Sequence, residues 1–278
     1  MMMDVPGHLP AHLTGLIGQA VSAIDTPALV IDLDAMARNL ASMAAFARQH
    51  QLKLRPHAKM HKSATLAKLQ MAAGAVGVCV QKTAEAEALA AGGVNNIYIS
   101  NEVIAPAKLQ RVAALAQQLA ARNGQLAIAV DSVEGIRRLA AASEGMTLGL
   151  IHVLVEIDVG QGRCGLAPGP AAVPLVQAIS RHPQLQFAGL QAYHGRAQHF
   201  RSLAERRAAI EQVVQDVRRT VTALQAAGHA VPLVTGAGSG TFLLEAASGV
   251  YGELQAGSYL FMDRDYASNE PDPAQPAV

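Results

Sequence analysis

A chain of 278 residues with a formal net charge of +1 has no global field to draw it to nucleic acid or an anionic membrane, so a small metabolite is the more natural partner. Hydrophobic residues make up 51% of it, aromatics only 4%, and tryptophan is absent, which suits alanine-rich helices on a central sheet better than an aromatic-rich β-sandwich. The length is ordinary for one α/β barrel and does not force two domains.

Residues 1–24 read as an N-terminal extension, with an early acid, prolines and glycines where a secretory signal would have a basic flank and a long apolar run. No later run approaches the length of a spanning helix, which predicts no membrane partner. Cys79 and Cys164 stand apart without CxxC spacing, so neither a disulfide framework nor a zinc knuckle is indicated and a reducing cytoplasm fits.

From residue 28 short apolar runs alternate with longer alanine-rich stretches of helical period, the pattern of repeated βα units. The predicted strands are 28–33, 53–58, 77–82, 96–101, 126–131, 152–158, 187–194 and 232–238, with helices filling the gaps. Asp34, Thr83, Pro106 and Asp131 stand where helices should begin, and Gly74, Gly92, Gly93, Gly124 and Gly228 where they should end. Eight alternations favour a closed (β/α)8 barrel of the TIM type over residues 25–266, and no GxGxxG follows the first predicted strand to support a dinucleotide fold. Residues 267–278, proline-rich and aperiodic, read as a loose tail.

In such a barrel the chemistry sits at the C-terminal ends of the strands, and here nearly every strand end carries a polar or reactive residue. The segment RPHAKMHK, residues 55–62, places Lys59 among Arg55, His57, His61 and Lys62. Neighbouring positive charge disfavours the ammonium form and frees the amine to attack a carbonyl; the competing reading is a basic surface turn. TGAGSGT, residues 235–241, is a glycine-rich turn placed to cradle a phosphate, and QAGSY, residues 255–259, could close around the same anion; either could equally be a plain turn.

VEIDVGQGRCGL, residues 155–166, offers Arg163 to a substrate carboxylate or a heteroaromatic nitrogen, or else to an ion pair with Glu156 or Asp158 that only holds the loop. QAYHGRAQH, residues 191–199, supplies Tyr193 and His194, the latter as a base, a metal ligand or a structural residue. An aldehyde-trapping lysine, a phosphate cradle and a rim of acid–base groups are the requirements of pyridoxal 5'-phosphate, although other phosphorylated ligands share some of them.

Together DTPALVIDLDAMARN, RPHAKMHK, VEIDVGQGRCGL, QAYHGRAQH, TGAGSGTF and ELQAGSYLFMDRDY, in this order, resemble the D-threonine aldolase and D-serine dehydratase family. Its members have the alanine racemase type of N-terminal barrel found in fold type III pyridoxal phosphate enzymes, and AYHGRAQH and GVYGELQAGSYLFMD are most similar to the 3-hydroxy-D-aspartate aldolases. The resemblance implies that Lys59 carries the cofactor as a Schiff base and that Ser239, Gly257 and Ser258 bind its phosphate. It also implies that Gln81, Tyr193 and Tyr266 border the cofactor, that Arg163 meets the pyridine nitrogen and that His194 is the base.

The implied reaction is retro-aldol cleavage of a β-hydroxy-D-amino acid, for 3-hydroxy-D-aspartate to glycine and glyoxylate. Family members add a C-terminal β-domain with ligands for a divalent manganese or magnesium ion. This chain stops where that domain is expected, so those ligands are expected beyond it. The alternative is a non-catalytic barrel of the pyridoxal phosphate homeostasis kind, and a homodimer is the assembly suggested by analogy.

Overall fold

The computed structural model describes residues 11–273. Its centre is an eight-stranded parallel sheet of β1 (Lys53–Leu54), β2 (Val78–Val80), β3 (Asn96–Glu102), β4 (Gln125–Val130), β5 (Ile151–Glu156), β6 (Leu185–Ala192), β7 (Val234–Gly236) and β8 (Glu253–Leu254). The strand order is β1-β8-β7-β6-β5-β4-β3-β2. The two ends meet where Val76 N–H donates to Leu54 O and Cys79 N–H to Pro56 O, each at 2.9 Å, and where His57 bridges Cys79 in parallel. Closure leaves no free edge, as a (β/α)8 barrel requires.

Seven of the predicted strands are present, β1, β2, β5 and β7 shorter than the apolar runs that announced them, but 28–33 is not among them. Glu253–Leu254 completes the barrel between β7 and β1 instead. Residues 28–31 lie outside any strand, with Leu29, Val30 and Ile31 102%, 58% and 43% exposed. Apolar β-propensity marks a segment that suits a half-buried pleated surface without saying which surface.

Helices occupy every gap between strands, and their boundaries follow the side chains that can satisfy free N–H groups. Asp32 rather than Asp34 caps Leu33–Gln49 by accepting from Ala35 N–H at 2.9 Å, and Ser132 rather than Asp131 caps Val133–Ser143 by accepting from Gly135 N–H at 3.1 Å. Pro106 opens Pro106–Ala120, where its missing N–H costs nothing, and Gly92 ends Thr83–Ala91.

The main core lies between the strands and the helices, with Val78, Ile97, Leu126, Ile151 and Val155 each at 0% exposure. A second apolar cluster, including Met43, Phe46, Leu254 and Tyr259, fastens Leu33–Gln49 against β1 and β8. Among the described residues no helix is long and apolar enough to cross a membrane.

The strand reassignment has a measurable consequence. Leu29→Ser is expected to shift unfolding free energy by less than about 0.5 kcal/mol, since its side chain touches water already. Leu126→Ala is expected to cost about 2–5 kcal/mol through the cavity it leaves. Urea unfolding of the two variants beside the parent chain measures both values.

Candidate active site

The strands deliver their inward side chains in pairs two residues apart, because successive residues of a strand point to opposite faces. Arg55 and His57, Tyr98 and Ser100, Gln191 and Tyr193, and Glu253 and Gln255 are such pairs. The lower members form a buried hydrogen-bonded chain. Arg55 Nε donates to Glu253 Oε2 at 3.0 Å, Thr235 Oγ1 to Glu253 Oε1 at 2.9 Å, Gln255 Nε2 to Thr235 Oγ1 at 2.8 Å and to Gln191 Oε1 at 2.7 Å, and Tyr98 O–H to Gln191 Oε1 at 2.9 Å. Above this floor opens a cleft at the C-terminal ends of the strands.

Lys59, Gln81, Arg163, Tyr193, Ser239, Gly257, Ser258 and Tyr266 all line the cleft, so eight residues singled out from distant parts of the sequence converge. His57, Ser100, Gln191 and Gln255 line it too and were not singled out as site residues. Their signal was the period-two inward parity of their strands. His194 is not among the lining residues. Following Gln191 and Tyr193 by odd spacing, it turns to the other side, where its Nε2 crowds Gly160 and its ring meets Phe200 edge-on at 6.1 Å.

The basic cluster around Lys59 disperses on folding. Arg55 goes to Glu253 and Asn96, Lys62 Nζ pairs with Glu85 at 2.5 Å, and His61 Nε2 meets Gln70 Oε1 at 3.3 Å. What lowers the pKa of the Lys59 ammonium is burial first and the Arg163 charge second. Its Nζ stands 5.9 Å from the centroid of the Tyr193 ring. His57, buried, accepts at Nδ1 from Lys59 N–H at 3.3 Å, which puts its proton on Nε2 facing Ser100 Oγ at 3.2 Å. Burial followed by the Lys59 charge holds its pKa far below the ordinary histidine value, so it stands as a neutral ring.

At the opposite wall two turns approach one another. Ala237 takes a left-handed φ of 69°, costly for a residue with a Cβ, and turns the chain ahead of Gly238 and Ser239. Ser239 Oγ accepts from Tyr259 N–H at 2.9 Å, linking the two turns and leaving its O–H to donate into the cleft. Gly257 passes so close to the His57 carbonyl that a Cβ there would lie 2.5 Å from its oxygen. Serine hydroxyls on a tight turn suit an anion, while the helix that follows, Phe242–Ala247, is too short to add much.

Arg163 is placed between the cleft and Glu156. It lines the cleft, and its Nη2 lies 3.6 Å from Glu156 Oε1. Asp158 instead ties its own loop, accepting from Gly160 N–H at 3.0 Å and Gly162 N–H at 2.9 Å. Glu156 is 3% exposed, and burial together with the adjacent Glu102 raises its pKa strongly. Beyond it Glu102, Asp131 and Cys164 bring their ligand atoms within 4.8 Å of one another, a set no sequence spacing announced.

The Arg163 charge makes the state of Lys59 testable. In Arg163→Gln the ammonium loses a repulsive neighbour, so its pKa is expected to rise. The pH midpoint for Lys59 reacting with a small aldehyde, followed by mass spectrometry after borohydride reduction, moves up with it; an unmoved midpoint contradicts the assignment of Arg163.

Comparison with known proteins agrees with this geometry. The chain is 43% identical over 257 residues to the 3-hydroxy-D-aspartate aldolase of Paracoccus denitrificans (strain Pd 1222), covering 91% of itself and 65% of that protein. It is 44% identical over 255 residues to the D-threonine aldolase of an Arthrobacter species, covering 92% of itself and 66% of that enzyme. The crystal structure of D-threonine aldolase from Filomicrobium marinum superposes with a TM-score of 0.86 at 45% identity, over 90% of this chain and 66% of that one. The chain thus spans about two thirds of the length of these relatives. With the alanine racemase N-terminal domain model matching residues 31–265, the barrel and its rim belong to the alanine racemase N-terminal domain family.

Proposed function

We propose that this chain is the cofactor-binding part of a pyridoxal 5'-phosphate-dependent lyase that splits a β-hydroxy-D-amino acid by retro-aldol cleavage, with 3-hydroxy-D-aspartate giving glycine and glyoxylate as the leading substrate. The observation that carries the reading is the convergence on one cleft of Lys59, whose ammonium pKa is lowered, the Ser239 and Ser258 turns and Arg163. The kinship with a 3-hydroxy-D-aspartate aldolase and a D-threonine aldolase supports the choice of reaction. On this reading residues 25–266 are one functional domain, and the substrate is a small amino acid met in the cytoplasm.

The residues present fit the cofactor. Gly257 and Ser258 line the cleft beside Ser239, whose Oγ accepts from Tyr259 N–H and keeps its own O–H available to donate. Lys59 would hold the aldehyde carbon, Ser239, Gly257 and Ser258 the phosphate, and Tyr193, Gln81 and Tyr266 the rim of the ring. Arg163, unable to surrender its proton, would face the ring nitrogen and keep it unprotonated. When bound, pyridoxal phosphate supplies an electron sink for the pair released as the Cα–Cβ bond breaks.

Neutral His57 fixes the Lys59 main chain through Nδ1 and offers the amine no counter-charge, and the lowered ammonium pKa favours the free amine that exchange with a substrate amine needs. The proton of the β-hydroxyl must leave as that bond breaks, and His194, turned from the cleft, is not placed to take it. A divalent manganese or magnesium ion acting on the hydroxyl belongs to the same reading, with its ligands outside this chain.

Titration with pyridoxal phosphate is expected to give an absorbance band that sodium borohydride fixes and that Lys59→Ala abolishes, and an unchanged band in that variant would defeat the Lys59 assignment. Release of glycine and glyoxylate from D-3-hydroxyaspartate, assayed with and without manganese, checks the reaction. A band without turnover under either condition would make this chain a cofactor carrier and defeat the reading that it is a lyase by itself.

A further inference from the structure

We propose that Glu102, Asp131 and Cys164 form a divalent-cation site, best suited to zinc, separate from the cofactor cleft and bordered by Glu156. Their ligand atoms lie within 4.8 Å of one another, and none of the three residues lines the cleft. They come from three consecutive units of the barrel. Glu102 ends β3, Asp131 follows β4, and Cys164 sits in the loop after β5, next to Arg163.

A group of acids alone would not carry the inference. The further observation is Glu156, 3% exposed, whose carboxyl meets that of Glu102 while its Oε2 has no hydrogen-bond partner. Both carboxylate oxygens of Glu102 are buried without partners as well. Buried carboxylate oxygens that meet one another and no donor need a proton or a cation between them. Asp131 spends one interaction on Gly165 N–H, at 3.1 Å to Oδ2, and has lone pairs to spare.

The ligand set selects the ion. Carboxylates alone would suit magnesium or manganese; a thiolate among them shifts preference toward zinc, which takes four ligands of mixed sulfur and oxygen type. Binding converts the Cys164 thiol to a metal-bound thiolate with release of its proton to solvent, so no oxidant or reductant is involved. The bound ion would pin the β5 loop to the ends of β3 and β4, and with it the backbone that carries Arg163 to the cleft. The proposal does not depend on the reading of Lys59.

The test uses the full chain, treated with chelator and dialysed. Zinc titration against a competing chromophoric chelator is expected to show one tight equivalent, weakened at least about 10-fold in both Glu102→Gln and Cys164→Ser, since even indirect supports of a metal site cost that much. Cobalt(II) is expected to give a thiolate charge-transfer band that disappears in Cys164→Ser; the other cysteine, Cys79, is fully buried elsewhere in the barrel. Parent-like circular dichroism and a cooperative urea transition in both metal-free variants would show that they fold. Zinc bound equally by parent and variants, or not bound by the parent, would overturn the proposal and leave the Glu102–Glu156 pair holding a proton.

Discussion

The hydrogen-bonded chain from Arg55 through Glu253, Thr235, Gln255 and Gln191 to Tyr98 crosses the interior of the barrel and fixes the floor on which the cleft rests. Each link joins different strands, so the barrel closes only in the register that satisfies all of them. An interior built this way is demanding, because a buried polar group left without its partner costs about 1–3 kcal/mol. The apolar share of the interior is small, Cys79, Tyr98, Ala129 and Leu154, which leaves the polar chain to specify the packing at the centre. Hydrophobic burial outside the barrel, where the helices sit, supplies the bulk of the stability.

The pKa of Lys59 is lowered without a crowd of cations. The neighbouring His57 ring is neutral, held in one tautomer by the Lys59 main-chain N–H and a serine. Lost hydration penalises the ammonium first and the Arg163 charge second, and the Glu85 charge offsets this only in part. Lys62 and Arg55, adjacent in sequence, are drawn off by Glu85 and Glu253. Sequence proximity pointed to a lysine whose pKa is indeed lowered, but by its surroundings and the distant Arg163 rather than by its basic sequence neighbours.

Much of the fold was legible because parallel strands buried on both faces read as continuous apolar runs, and seven of them did. The run at 28–33 has the same composition yet lies exposed, while the strand that takes its place, Glu253–Leu254, is two residues long and flanked by inward-facing polar groups. Length and polarity hid it. At the rim, the rule that strand ends carry chemistry led to the cleft residues, but the alternation of faces decided which of two neighbours entered it: Tyr193 does and His194 does not. Glu102, Asp131 and Cys164 could not have been read from spacing, since roughly thirty residues of helix and loop separate each from the next and only barrel closure unites them.

Arg163 is the joint between these two regions. It faces the cleft on one side and Glu156 on the other, and Glu156 in turn meets Glu102. An arginine held only by a fully charged carboxylate pair would be drawn toward that pair and away from the cleft. The Arg163 guanidinium lies divided between the carboxylate, 3.6 Å from Nη2 to Glu156 Oε1, and the cavity. The charge that tunes Lys59 is therefore positioned by acids that never touch the cleft, and the state of those acids is part of the chemistry of the site.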